Sequence, residues 1–296
     1  MPLLDPAAEY FLATYDAGSV NAAARRLYVT NSVISRHISR LERELGTALF
    51  DRLSTGMVPT EAGRAFAGYA RRVLAETTSI EAELQGRSAT RARISVAAVG
   101  GVLHSVLPRV CASFHRRHPQ SQIRVVRATP SQVSAMVKDG TVDVGVTYNL
   151  SLATDVVVRF SQQAVLQAVM SRSHPLSGAR SVSVRQIATY PLALSLTTST
   201  GRALIEAVAA THLIPIEPVF EIDNLAAVLE FVATTEAVTV LNPRTISAQD
   251  RDRVTVVPLQ EPELRQRTLQ VQCHARRATS PALESFIEIL VAMIGA

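Results

Sequence analysis

The sequence predicts an all-helical N-terminal region followed by an α/β domain, and three observations carry that fold class. Residues from about 6 to 88 read as successive helical patterns with little strand character. From Arg93 onward, β-branched apolar runs alternate with helical ones, as βαβ units around a mostly parallel sheet require. Between the two lies Gln85-Gly86-Arg87-Ser88-Ala89-Thr90-Arg91, polar and glycine-bearing, with the composition of a hinge. At 296 residues and 47% apolar, the chain is long enough for two domains and too apolar for disorder. The expected divisions are 1–60, 61–90 and 91–296.

Other classes fall away on composition. Apolar runs such as 94–103 and 192–196 are far shorter than the roughly 20 residues of a spanning helix, so no membrane partner is expected. Asp5 and Glu9, with no basic stretch before them, are unlike a secretory leader, and the protein is expected in the cytoplasm. Cys111 and Cys273 have neither a CxxC nor a metal spacing and are read as small core residues, a regulatory disulfide being the alternative.

Charge is more telling in its distribution than in its total of +5. Between Asp16 and Glu42 there is no acidic residue, while Arg25, Arg26, Arg36 and Arg40 all fall in that interval. A first helix over 7–16 sets Phe11, Leu12 and Tyr15 to one side, and Gly18 suits its C-cap. Ser19 or Asn21 caps a second helix ending at Leu27, whose Ala22, Ala23 and Ala24 allow a neighbouring helix to approach. Thr30 is the expected N-cap of a third helix, with Val33 or Ile34, Ile38, Leu41 and Leu45 at core spacing. The opposite side presents Asn31, Ser32, Ser35, Arg36, Ser39 and Arg40, a small, basic, hydrogen-bonding face suited to a DNA major groove. A solvated helical surface is the plainer reading. Tyr28 is read as a cap on the small core, and His37 as a packing or phosphate residue before a base reader.

The run Phe11-Leu12-Ala13-Thr14-Tyr15-Asp16-Ala17-Gly18-Ser19-Val20-Asn21-Ala22-Ala23-Ala24 with Leu27, then Thr30-Asn31-Ser32-Val33-Ile34-Ser35-Arg36-His37-Ile38, resembles the helix-turn-helix of LysR-type transcriptional regulators. Leu41-Glu42-Arg43-Glu44-Leu45-Gly46 through Arg52, and Pro59-Thr60-Glu61-Ala62-Gly63, are similar to the rest of that signature and its wing. The resemblance implies a winged helix-turn-helix that binds double-stranded promoter DNA through Thr30, Asn31, Ser32, Ser35, Arg36, His37 and Arg40, with Arg52 in the wing reaching the minor groove or a phosphate. Two positions depart from the family pattern. Asn31 stands where glutamine is usual, which shortens reach, and Ser39 where a basic residue is usual, which removes a phosphate contact.

Over 61–85, Phe66, Ala70, Val73, Thr77, Ile80 and Leu84 alternate spacings of four and three, a short heptad seam. A helix packed on its own domain and a dimerising linker both fit; the resemblance implies the linker of a homodimer, with a tetramer as the larger assembly, so that two recognition helices read two half-sites.

After the hinge the expected order is strand 94–99, helix 103–115, strand 123–127, helix 131–138, strand 142–146, then strand 192–195, helix 199–212, strand 219–222, helix 224–233, strand 238–241. Strands 254–258 and 269–273 and a helix 281–294 close the chain. By resemblance these form a two-lobed effector domain similar to the type 2 periplasmic-binding-protein fold, lobe I from 91–162 and 265–296 and lobe II from 163–264. Ligands in open α/β sheets sit beyond the carboxyl ends of strands, against helix N-termini. That rule selects Gly100, Gly101, Thr129, Ser131, Thr147, Tyr148, Ser195, Thr197, Thr198, Ser199 and Asn224 as an effector-binding set of neutral donors for a small molecule such as a carboxylate or other anion. Gly100 and Gly101 stand where the family often has a hydroxyl residue.

Chemistry of another kind finds little support. His104, His115, His118, His174, His212 and His274 have no metal-ligand spacing, and GxSxG, Walker and GxGxxG patterns are absent, so no cofactor or metal is expected. The reading is a ligand-responsive DNA-binding regulator and not an enzyme; the alternative is a cytosolic small-molecule enzyme or binding module with an appended helical interaction domain.

Overall fold

A computed structural model describes residues 6–54, 56–84, 92–151, 153, 155–275 and 280–295. The chain divides into two compact units, Met1–Ala92 with Lys138–Val142, and Arg93–Val137 with Asp143–Ala296.

The first unit runs α1 (Ala7–Ala17), α2 (Val20–Leu27), α3 (Asn31–Leu45), β1 (Phe50–Leu53), β2 (Gly56–Pro59) and α4 (Glu61–Leu84). Gly18 ends α1 with φ 63° in the left-handed region, and the Ser19 hydroxyl accepts the Ala22 N–H at the start of α2. Strands β1 and β2 pair antiparallel from Phe50↔Pro59 to Leu53↔Gly56 and form the wing. Phe11 is the centre of the core, its ring 5.0 Å from Phe50 and 4.9 Å from Phe66, with Ala23, Ala24, Ile34 and Ile38 buried around it. Burial of each such large side chain contributes about 1.5–3 kcal/mol.

Three expectations change here. Leu45 is 47% exposed, because the last turn of α3 runs past the core to its Gly46 cap. Phe66 and Ala70 belong to this core and leave only the later seam positions for another copy; the side chains of Ile80 and Leu84 lie outside the described residues. Arg71 fixes α4 to α1, pairing with Asp16 at 2.7 Å and lying 5.0 Å over the Tyr15 ring. Tyr28 does not cap the core: it is 96% exposed, because the α2–α3 turn puts it at φ 56° and points its ring outward.

The second unit begins β3 (Arg93–Ala98), α5 (Gly100–Ser105), α6 (Leu107–Arg117), β4 (Gln122–Arg127), α7 (Pro130–Lys138), β5 (Val144–Asn149) and β6 (Val157–Gln163). It continues β7 (Gln167–Ser171), α8 (Val184–Ile187), β8 (Leu192–Leu194), α9 (Thr200–Thr211), β9 (Pro218–Glu221), α10 (Leu225–Thr234) and β10 (Thr239–Leu241). It closes with α11 (Ala248–Arg251), β11 (Val254–Pro258), β12 (Thr268–Cys273) and α12 (Pro281–Gly295).

One five-stranded sheet has the order β4-β3-β5-β12-β6, with β3 parallel to β4 and β5, and β12 antiparallel to β5 and β6. The other lobe pairs β10-β7-β11 antiparallel and β8-β9 parallel, and a parallel bridge from Leu192 to Val238 joins the two groups. The expected mostly parallel sheet is thus corrected to a mixed one. Strands β6 and β12 carry the chain out of and back into the first sheet side by side, and such a return needs no helical crossover. Where the chain crosses, the N–H of Ala164 donates to the carbonyl of Arg267 at 2.7 Å, tying the two connections together.

The expected helix 103–115 is two helices, since Pro108 supplies no N–H to an unbroken helix and instead sits in the first turn of α6. Cys111 and Cys273 are free thiols; burial raises both, Cys273 to about 11.

Candidate nucleic-acid interface and ligand cleft

Helix α3 begins after Thr30, in extended backbone at the N-cap position, whose hydroxyl bonds the Ser32 hydroxyl at 2.9 Å and leaves the first N–H groups of the helix uncapped by a side chain. Asn31 and Ser32 are exposed on that first turn, Ser35 is half-exposed, and Arg36 is exposed one residue further along. The Asn31 amide donates to the side-chain oxygen of Asn21 on α2, so the shorter amide is braced from the preceding helix. No acidic residue lies in the first turn, and the helix end keeps its partial positive charge for an anion. Among the described residues no carboxylate pairs with Arg36, whereas Arg40 lies 3.4 Å from Glu44. His37 is half-buried with its ring 4.9 Å from that of Tyr10, a packing position.

The wing is held to this helix at two points. Glu42 accepts the N–H of Leu49 at 2.8 Å and of Phe50 at 3.3 Å, which sets the start of β1. Arg52 is exposed on β1 and donates to the Ser39 hydroxyl at 3.4 Å. Ser39 thus joins the recognition-helix face to the wing arginine. Glu42 carried no signal beyond its place in the motif, because its partners are defined only by the fold.

In the second unit a cavity of about 300 Å³ lies between the lobes. Eight of the expected residues line it: Gly100, Gly101, Thr129, Tyr148, Ser195, Thr198, Ser199 and Asn224. Three do not. Ser131 turns to the Thr129 hydroxyl at 3.3 Å, Thr197 is exposed on the turn before α9, and Thr147 is fully buried, one residue out of phase with Tyr148 on a strand whose side chains alternate. Ser199 and Asn224 also serve as plain caps, accepting the N–H of Gly201 and of Ala227 at 3.2 Å each. The glycine pair has a steric reason. A Cβ on Gly101 would meet the Thr245 methyl at 2.8 Å, and one on Gly100 would meet the Arg127 guanidinium at 3.1 Å.

The expected neutral set misses the charges. Arg127, Asp223 and Arg267 line the same cavity. Arg127 reaches from the end of β4 across the cleft to the carboxylate and carbonyl of Asp223 on the other lobe. Arg267 is 4% exposed, lies 4.1 Å over the Tyr148 ring and gives its Nε–H to the Ala164 carbonyl at 3.4 Å. Burial lowers its guanidinium to about 10, so it remains charged at neutral pH. Burial likewise raises the Tyr148 phenol, opposed by Arg267 and Arg244, and it stays neutral. Arg127 was within reach of the strand-end rule that selected Thr129, but Arg267 lies in a loop without local signal.

Comparison with known proteins bears on both units. Residues 7–64 match the family described as "Bacterial regulatory helix-turn-helix protein, lysR family", and residues 87–294 match the "LysR substrate binding domain". The HTH-type transcriptional regulator TcbR of Pseudomonas sp. (strain P51) is 34% identical over 146 residues, 46% of this chain and 47% of that protein. ClcR of Pseudomonas putida is 33% identical over 153 residues, 51% of each. The match thus spans about half the length of these relatives. Full-length OxyR from Pseudomonas aeruginosa, in a variant form, superposes with a TM-score of 0.70 at 20% identity over 97% of this chain and 93% of that one. Full-length CbnR complexed with its target DNA gives 0.56 at 20% identity over 97% and 98%. Among the described residues no helix is long and apolar enough to cross a membrane, and no three His, Cys, Asp or Glu cluster as for a metal. Its two matched regions, together covering most of its length, make this chain a member of the LysR family of bacterial transcriptional regulators.

Proposed function

We propose that this chain is a promoter-binding transcriptional regulator that works as a homodimer in the cytoplasm and answers to a small molecule held between the lobes of its second unit. The observation that carries the reading is the exposed first turn of α3, with Asn31, Ser32 and an Arg36 that pairs with no carboxylate among the described residues, on a segment lacking acids from residue 17 to 41. Small side chains admit the helix to the groove, and arginine bridges guanine O6 and N7. Arg52 in the wing lies beside the same face through Ser39 and supplies a backbone or minor-groove contact. Residues 61–90 connect reader to sensor, and the half-exposed Val73 and Thr77 on α4 are where a second copy would pack. CbnR, similar in fold, is described in complex with its target DNA, which supports the same role here. The ligand acts by binding one arrangement of the lobes better than another, since equal affinity shifts nothing.

The test is binding to its own upstream region across a salt series. The reading predicts an affinity falling linearly with log salt, as counterion release demands. Affinity indifferent to salt, or no binding with and without cell metabolites, would overturn it.

A further inference from the structure

Two exposed amides meet where α2 and α3 approach each other. Asn21 is the second residue of α2 and Asn31 the first of α3, and the Asn31 amide donates to the Asn21 side-chain oxygen. Neither side chain caps a helix, since Ser19 caps α2 and Thr30 holds the N-cap position of α3. The core beneath is made by Ala23, Ala24, Ile34 and Ile38. This contact therefore adds little to what folds the domain.

An asparagine at the start of a helix ordinarily swings its amide back to nearby backbone groups. Here the amide is held by another helix instead. One of its two N–H groups is spent on Asn21, which leaves a single N–H and the Oδ1 acceptor, turned away from that bond. The hydroxyls of the same turn carry no fixed direction, because Thr30 and Ser32 bond each other at 2.9 Å with either able to donate. Arg36 has donors alone. Of Asn31, Ser32 and Arg36, only Asn31 presents an acceptor whose direction is set.

We propose that Asn21, outside the recognition helix, sets base preference through Asn31: the brace leaves the Asn31 oxygen for the duplex, which reads a base pair by its major-groove amino group, adenine N6 or cytosine N4. Guanine O6 and N7 and thymine O4 are themselves acceptors, and a fixed carbonyl oxygen repels them. The inference rests on the promoter-binding reading above and adds which group on the DNA one side chain requires. Asn21 is a positioning residue. Holding the amide before the encounter removes the cost of ordering it on binding.

Titration of the full-length chain against its upstream fragment, with each base pair exchanged in turn, tests this. The pair whose preference disappears in Asn31→Ala is the pair that Asn31 reads. There, a nucleotide lacking only its amino group should weaken native binding about tenfold and leave the binding of Asn31→Ala unchanged. Asn21→Ala should lower that factor to about threefold. Asn21→Asp keeps the acceptor and adds a negative charge, so it should bind every duplex more weakly yet retain the tenfold factor. Both positions are exposed, and the variants keep the fold. An amino group dispensable to the native chain, an Asn21→Ala loss equal on every duplex, or a factor that changes in Asn21→Asp would each overturn the proposal. Discrimination at other pairs, lost in Arg36→Ala, separates this from the reading beneath it. If that discrimination persists while no pair answers to Asn31, base reading stands and the brace falls; if the upstream fragment binds no better than a shuffled duplex, both fall.

Discussion

Replacing Glu42 with alanine removes the acceptor of two backbone N–H groups, those of Leu49 at 2.8 Å and Phe50 at 3.3 Å. Both residues are buried, at 1% and 4% exposure, so water replaces the carboxylate poorly. A buried donor left unsatisfied costs about 1–3 kcal/mol. Taking the shorter bond near the middle of that range and the longer one near its floor gives about 3 kcal/mol for the pair. Glu42→Gln keeps one acceptor oxygen and loses the charge, for about 1 kcal/mol. Amide hydrogen exchange of the full-length chain reads this locally and avoids a two-state treatment of a two-unit protein. Exchange over residues 46–60 should speed about 100-fold in Glu42→Ala and about fivefold in Glu42→Gln. Promoter affinity should fall in the same order, because β1 carries Arg52. Native-like protection in Glu42→Ala would refute the claim that this carboxylate holds the wing.

Other consequences follow from the second unit. His174 is 2% exposed, and burial depresses its imidazole below the ordinary 6.5, against the opposing pull of Glu236. The unfolded chain therefore binds the proton more readily, and stability is lost as pH falls below about 6.5, by at most about 1.4 kcal/mol per pH unit. Denaturation of His174→Gln should show a flatter profile between pH 7 and 5.5, and parallel curves would contradict it. Thr198→Ala with Ser199→Ala should weaken the response of promoter binding to effector and cost about 1 kcal/mol of stability through the lost α9 cap. An unaltered response would remove the two hydroxyls from the site. Tyr28→Gly should stabilise the first unit by about 1 kcal/mol by relieving the left-handed residue, measured by denaturation, and a loss of stability would show that the ring packs after all.

Local grammar made the first unit legible. Gly18, Ser19 and Thr30 mark helix ends whatever surrounds them, and the 3.6-residue period put Ile34 and Ile38 inside and Arg36 outside. What period alone did not resolve was where the core stops. Leu45 keeps the spacing but overshoots the core, and Phe66 and Ala70 fit a dimer seam and an intramolecular core equally well in sequence. In the cleft, the strand-end rule found the polar rim, because capping and ligand binding use the same positions. It missed Arg267 because that residue's neighbours, Tyr148, Ala164 and Gly201, are 66 or more positions away and meet only once the chain has crossed twice between lobes. Thr147 failed on parity, a one-residue question that a strand end read three residues early could not settle.

The claim that α3 reads bases is tested most directly by titrating native protein and Arg36→Ala against the upstream fragment and against a shuffled duplex of equal length at one salt concentration. The account predicts that Arg36→Ala loses about 1–3 kcal/mol on the upstream fragment and far less on the shuffled one. Equal losses on both would make Arg36 a phosphate contact and contradict base reading by this face.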